Sequence, residues 1–389
     1  MNNEQNCMLT CLRAYFNNEK PNTELTADWD KLYSLSMAHN LAPIVFSVIK
    51  DNYSLKENKT AYEGFKDAFY DAIVSYDMQK TLINEIDSLL TANEIEHIFF
   101  KGAQLKEYFP APELRLMSDI DVLIRLDDRP KAKQLFVNNG FELTEDNGPV
   151  YNYRKNNLTL ECHTKIVSGK VGNADAETYF EDAINHASFD RFCGTLNNEY
   201  NLMYLLTHIA HHFWFYGAGV KMILDLAVFI KHFSPDLDDV VEKMDDLNLK
   251  RFSQIIFSVC CDWFGVGKKY TDDTVSTKEF LLGYGAFGNI NRNKAVVVKR
   301  KAIEDGHDSS FMTKLTLLFP SYKKMKNIPY VKFIDGRPYL LPFGWVYRII
   351  YNLKNKKDFI KEATSNLDGD ETRQEAEKEI YYFEEIGLL

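Results

Sequence analysis

No two of the six cysteines (Cys7, Cys11, Cys162, Cys193, Cys260, Cys261) form a C-x-x-C, and none groups with histidine at ligand-like spacing. The sequence therefore offers neither a disulfide framework nor a structural zinc motif, and the cysteines read as buried free thiols. No uninterrupted apolar run approaches the roughly 20 residues needed to cross a bilayer, so no transmembrane segment is expected. The opening stretch, MNNEQNCMLTCLRAYF, lacks the basic region and cleavable apolar core of a secretory leader, and the expected location is cytoplasmic. Internal repeats and low-complexity linkers are also missing. What is present is a globular composition: 389 residues, 45% hydrophobic and 14% aromatic, enough for a large core and for two or three domains.

The formal net charge of -10 argues against a protein that coats long nucleic acid. That charge is uneven. Arg292 to Lys357 holds 15 Lys+Arg against 4 Asp+Glu, a local +11 that leaves -21 for the remainder. Two readings of this segment stay open: a face packed against the acidic remainder or solvated, and a surface for an anionic acceptor.

Residues 1–92 read as an N-terminal helical region. Within it, Ala61 to Thr91 has the 3.6-residue spacing of a long amphipathic helix, its core face drawn through Phe65, Phe69, Ile73, Tyr76, Leu82, Ile86 and Leu89. Residues 93–190 read as an α/β core. EHIFF is a short strand, GAQLKEYF a short helix stopped by Pro110 and Pro112, and DIDVLIR a second strand, together a βαβ-like unit. Asp127 or Asp128 is placed to cap a helix that opens near Pro130 and ends at Gly140. FELTE follows, then a hairpin of VYNYRK and LTLECH turning at Asn156-Asn157. Residues 191–389 read as a mostly helical domain ending in an acidic helix.

Within this frame, RLMSDIDVLI sets two aspartates at the start of an apolar strand. Side chains alternate on a strand, so Asp119 and Asp121 share one face, with Cα atoms roughly 6.6 Å apart. Two like charges there repel and lose hydration unless a cation or donors compensate them. In LTLECH, Glu161 falls on a polar face with Thr159 and His163. Asp119, Asp121 and Glu161 would make a hard-oxygen site suited to Mg²⁺. Lys101 and Gly102, where a strand runs into a helix, offer free backbone N–H groups without an obstructing side chain. Lys101 and Arg115 are candidates for charge-assisted bonds to phosphate, and with Gly102, Ser118 and His163 they form the expected nucleotide-binding set.

KGAQLKEYFPAPELRLMSDIDVLI, followed about forty residues later by LTLECH, resembles the nucleotidyltransferase superfamily built on the DNA polymerase β-like fold. More closely, it resembles that superfamily's uncharacterised bacterial nucleotidyltransferase family, in which K-G, R-x-x-x-D-h-D and a strand ending in E-h-H recur in this order. The likeness extends into LLTHIAHH and GVKMILDLAVFI, and more loosely to LLPFGWVYRI. It implies an α+β fold, a mixed sheet flanked by helical regions, and transfer of NMP from an NTP, ATP being the expected nucleotide, to an acceptor with pyrophosphate leaving. Carried over residue by residue, Asp119 and Asp121 would bridge two divalent ions, Mg²⁺ or Mn²⁺. Glu161 would complete the catalytic-metal site and help deprotonate the acceptor. Gly102 would stand at the phosphate-loop glycine. This sequence departs from the pattern where Ala103 replaces the usual Ser or Gly, and in the extra YFPAPELR turn before Asp119. The acceptor stays open among a small molecule, a glycan intermediate, a tRNA end and a protein side chain.

Two rivals accompany this reading. One is a nucleotide-binding regulatory protein without turnover. The other starts from THIAHHFWFYG, where His208 with His211 or His212 shares a helix face and, with Asp225, suggests a helical metal hydrolase. The same histidines suit the lining of a cleft or ordinary core packing. GWVYRIIYNLKNKK, with its aromatics and basic end, fits either an anionic membrane surface or an interdomain core.

Overall fold

The structure, a computed structural model, describes residues 1–21, 24–146, 148–283, 285, 296, 299–300, 303, 318–326, 328–355 and 370–389. It divides into two compact units, Met1–Ile290 with Ile386–Leu388, and Asn291–Glu385 with Leu389.

The first unit opens with five helices: α1 (Asn3–Asn17), α2 (Trp29–Ala38), α3 (Ala42–Ile49), α4 (Tyr53–Glu57) and α5 (Lys59–Ala92). Local chemistry sets their starts. Asn2, Asp28, Asn52 and Asn58 each accept a backbone N–H of the first turn, satisfying donors the helix leaves open. α5 buries Ala61, Phe65, Ala72, Gln79, Leu82, Ile86 and Leu90. Phe65, Leu82 and Ile86 are buried as expected and Leu89 packs partly buried against the same core, whereas Phe69, Ile73 and Tyr76 are half-buried and Ala72, Gln79 and Leu90 are the further residues fully inside. Neighbouring residues on a helix differ by about 100° in direction, so the element docked against it decides which one goes inside.

One seven-stranded sheet follows: β1 (His97–Phe100), β2 (Asp119–Ile124), β3 (Glu142–Glu145), β4 (Val150–Lys155), β5 (Leu158–His163), β6 (Ala187–Asp190) and β7 (Cys193–Leu196), in the order β3-β4-β5-β2-β1-β7-β6. It is mixed. β2 pairs in parallel with β5, and β1 with β7, while the other neighbours are antiparallel. The β4–β5 hairpin turns through Asn156 and Asn157 at φ 52° and 63°, the left-handed conformation their sequence suggested.

Two local expectations are corrected. β1 and β2 are antiparallel, so the βαβ reading fails: the connection holds only α6 (Gly102–Leu105) and two 3-10 turns, too little to carry the chain back across the sheet. Asp128 precedes α7 (Arg129–Asn138) but makes no side-chain cap, because Leu126–Asp128 already turns as a 3-10 helix and Asp128 is helical in backbone.

The sheet has two unlike faces. Ile120, Val122, Ile124, Leu160 and Cys162 meet Leu82, Ile86 and Leu90 of α5 and Ala132 and Phe136 of α7 in one buried cluster. Full burial of each such aliphatic side chain contributes roughly 1.5–3 kcal/mol. The opposite face carries Asp119, Asp121, Glu161 and His163. After the short α8 (Ala176–Tyr179), that face is covered by α9 (Asn198–Phe215), whose Tyr204 ring lies 5.8 Å from Phe100. The unit is completed by α10 (Val220–Phe233), α11 (Leu237–Lys243), α12 (Lys250–Phe264) and α13 (Val275–Gly283).

In the second unit, helices span Tyr322–Met325, Leu341–Asn355 and Asp370–Glu385. Trp345 donates Nε1–H to the Pro320 carbonyl at 2.8 Å and packs against Met325, Val331 and Ile334. Tyr351 stacks on Tyr330 at 3.9 Å. Much of the basic run 292–357 lies outside the described residues. Among the described residues no helix is long and apolar enough to cross a membrane.

Candidate active site

β1 ends at Phe100, and Lys101 follows at φ 49°, ψ -125°, a backbone conformation uncommon for a residue with a Cβ. This turn throws the chain into α6. That helix is one turn long, continued by a 3-10 turn at Lys106–Tyr108, so it offers bare N–H groups rather than the dipole of the longer helix expected here. Gly102 is required: a Cβ there would lie 2.8 Å from Arg115 Nη1 and 2.9 Å from Met117 Cγ and Sδ.

Arg115 is held from across the chain. It donates Nε–H and Nη2–H to Asp225 Oδ1 and Oδ2 at 2.9 and 2.8 Å, which leaves Nη1 beside Gly102. Behind the loop, Lys106 Nζ donates to Gln79 Oε1 at 2.7 Å, and Gln79 Nε2 donates to the Met117 carbonyl at 2.8 Å. α5 thus braces the segment that leads into β2.

Parallel pairing places Asp119 opposite Thr159, and Asp121 opposite Glu161. The three carboxylates therefore gather on one face of two adjacent strands. Asp121 is fully buried, and its Oδ1 accepts both Lys101 Nζ at 2.6 Å and His163 Nε2–H at 2.8 Å. His163 Nε2 also lies 3.2 Å from Glu161 Oε2. Burial alone would push the Asp121 carboxyl up, but Lys101 and His163 outweigh it and hold it at about 2. His163 responds in kind: burial disfavours its charged form, yet the bonds to Asp121 and Glu161 raise it. Asp119 differs. Burial, then Asp121 and Glu161, hold its carboxyl above the ordinary value, and Ser118 Oγ–H donates to its Oδ1 at 2.9 Å.

Two cavities meet at this wall. The first is bounded by Gly102, Arg115, Ser118, Asp119, Asp121 and Lys221. The second is bounded by His163, Lys165, Ser168, Tyr204, His211 and Tyr216. Lys101, His208 and His212 line both. Tyr204 Oη and His212 Nδ1 are buried there without a hydrogen-bond partner among the described residues. Burial pushes His208, His211 and His212 down, His212 to about 3, so these imidazoles are neutral near pH 7.

Every predicted site residue reaches this region: Lys101, Gly102, Arg115, Ser118, Asp119, Asp121, Glu161 and His163 around the carboxylates, and His208, His211 and Asp225 along the cleft. Their partnerships differ from expectation. Lys101 is paired with Asp121. Asp225 is committed to Arg115, and among the described residues it forms no metal-binding group with the histidines. Sequence reading passed over Lys221, which burial and then the Arg115 guanidinium push down to about 8. Its signal was present: Lys221 and Asp225 are a charged i, i+4 pair in a helix that is apolar between and after them until Lys231.

The donor set at the carboxylates is hard oxygen, the kind Mg²⁺ and Mn²⁺ prefer. Asp121, Glu161 and His163 offer ligand atoms within 4.8 Å of one another, and the charge concentrated at Asp119 is of the sign a divalent cation offsets. Neither a curated protein nor a solved structure matches the chain. Residues 26–265 match the family described as uncharacterised nucleotidyltransferase, well over half of the chain and the whole of the site described above, and the chain belongs to that family.

Proposed function

We propose that this nucleotidyltransferase moves an NMP group from an NTP, ATP being the expected substrate, to an acceptor hydroxyl, with divalent metal held by Asp119, Asp121 and Glu161. The observation that carries the reading is the register: Asp121 opposite Glu161 in a parallel pair, with Asp119 two residues away on the same face, Asp119 and Asp121 lining the first cavity. A metal pair there would supply Lewis-acid stabilisation of the charge that develops at phosphorus and on the leaving pyrophosphate.

The chain's own groups divide the remaining work. Gly102 lets the triphosphate approach the backbone, and Arg115 Nη1 and Lys221 supply positive charge on that side. The acceptor enters through the second cavity, where Tyr204 Oη and His212 Nδ1 stand ready to accept or donate hydrogen bonds. Glu161 takes the acceptor proton. The freed oxygen forms a bond to the α-phosphorus as the bond from that phosphorus to the bridging oxygen breaks, and pyrophosphate departs with that electron pair. His163 fixes Asp121 and Glu161 relative to each other.

The test is label transfer from each α-³²P-NTP, with Mg²⁺ or Mn²⁺ and a cell extract as the acceptor source, comparing wild type with Asp119→Asn/Asp121→Asn. Transfer by the wild type alone supports the reading, and equal transfer by both overturns it. A second reading, nucleotide binding without turnover, draws on the Lys101–Asp121 pair at 2.6 Å, in which lysine takes an oxygen that metal would need. Metal-independent NTP binding with no labelled product in any extract would favour it.

A further inference from the structure

The face of the sheet turned away from the carboxylates carries a second cluster. Phe100 pairs with Asp121 and shares its face, so His97, three residues earlier on β1, points the other way, toward α5. There His97 Nε2 lies 2.9 Å from Asp87 Oδ1 of α5. Cys193, the first residue of β7, stands opposite His97 in the parallel pair. The imidazole nitrogen, the carboxylate oxygen and the sulfur all lie within 4.8 Å of one another.

The hydrogen-bond inventory of His97 makes this cluster informative. The ring is fully buried, and its Nδ1 faces the Ile95 carbonyl at 2.9 Å. A carbonyl only accepts, so Nδ1 carries the proton, and a neutral ring then has a lone pair at Nε2. That lone pair faces a carboxylate oxygen, which also only accepts. Two acceptors at that distance require either a proton or a metal ion between them. Nδ1–H donated to a backbone carbonyl is also the arrangement that orients a metal-ligating histidine.

We infer that Asp87, His97 and Cys193 form a binding site for a zinc-type divalent cation, separate from the proposed nucleotide site. The mixed nitrogen, oxygen and sulfur donors suit Zn²⁺ rather than Mg²⁺. Three protein ligands leave a fourth tetrahedral position for water, and the Asp87 side chain, 44% exposed, provides the way in. The Cys193 sulfur lies with the Asp87 and His97 ligand atoms, and a zinc-type ion binds a cysteine as its thiolate. Binding therefore forms the metal–sulfur bond and releases one proton. The cation would fasten the edge hairpin β6–β7 to β1 and α5.

The experiment is titration of the full-length, metal-free protein with Co²⁺, a spectroscopic stand-in for Zn²⁺. One equivalent should give a thiolate-to-cobalt charge-transfer band that Zn²⁺ abolishes by competition. The band should be lost in Cys193→Ser, weakened in Asp87→Asn, whose half-exposed position leaves the fold intact, and kept in Asp121→Asn/Glu161→Gln. No sulfur-to-cobalt band, or a band unchanged in Cys193→Ser, overturns the proposal and leaves a proton as the cation between His97 and Asp87. Because the carboxylate site contains no sulfur, this result is independent of whether nucleotidyl transfer is found.

Discussion

Arg115 and Asp225, 110 residues apart in sequence, meet in a two-pronged ion pair with N···O distances of 2.9 and 2.8 Å, both side chains almost wholly out of solvent. Removing one partner strands the other as a buried charge. Asp225→Ala should therefore cost about 3–5 kcal/mol of stability in urea unfolding, whereas Arg115→Met/Asp225→Leu should recover much of that loss. A single substitution costing under about 1 kcal/mol would contradict the arrangement. The double variant should still bind NTP poorly, since Arg115 Nη1 is gone.

Gly102 gives the second prediction. A methyl group at this position collides with a pinned guanidinium and with Met117. Gly102→Ala should weaken NTP binding by at least tenfold, or about 1.4 kcal/mol, while Ala103→Gly should have little effect. Equal affinity in Gly102→Ala and wild type would remove the loop from the nucleotide site.

Lys221 carries a pH signature. Held at about 8, it is charged below that pH and neutral above it. If it meets phosphate, kcat/KM should fall as pH rises through 8, and Lys221→Arg should keep the alkaline limb flat because arginine stays protonated. A wild-type profile level from pH 7 to 10 would count against that role.

At the acid end, stability should follow His39, which is buried and pushed by burial from 6.5 to about 4. A histidine whose folded value is lowered binds fewer protons folded than unfolded, so stability is full above 6.5 and falls as pH drops from 6.5 to 4. This loss amounts to roughly 3 kcal/mol. His39→Gln should reduce by about one the protons taken up on unfolding in that window. An unchanged proton uptake would show that His39 titrates normally in the fold.

The carboxylates proposed to be catalytic can be weighed in the same way once an acceptor is in hand. Each interaction with bound metal is worth several kcal/mol at the transition state, so Glu161→Gln should lower kcat by about 10²–10⁴-fold. His163→Gln should cost less and should act mainly through metal affinity, since it touches carboxylates rather than substrate. A loss confined to NTP KM in Glu161→Gln would argue against a role in the reaction step.

Much of the carboxylate face was readable from DIDVLI and LTLECH, because alternation on a strand is a local property that fixes which side chains share a face. The Asn156-Asn157 turn was readable for the same reason: few residues tolerate two successive left-handed conformations. The short β6 and β7 were not read. Four-residue runs such as CGTL carry little periodic signal, and β7 owes its place to pairing with β1 almost a hundred residues away.

The sequence by itself determined the helices, the strands that carry Asp119, Asp121 and Glu161, and the residue types available for phosphate and metal. Those features depend on neighbours within a few positions. Only the tertiary structure decided that β1 returns antiparallel to β2 and that Asp225 clasps Arg115. It alone also decided that Lys101 and His163 share one oxygen of Asp121, and that Asp87, His97 and Cys193 meet behind the sheet. Ion pairs and strand pairings between distant segments are selected by where the buried surfaces dock, and no local pattern encodes that choice.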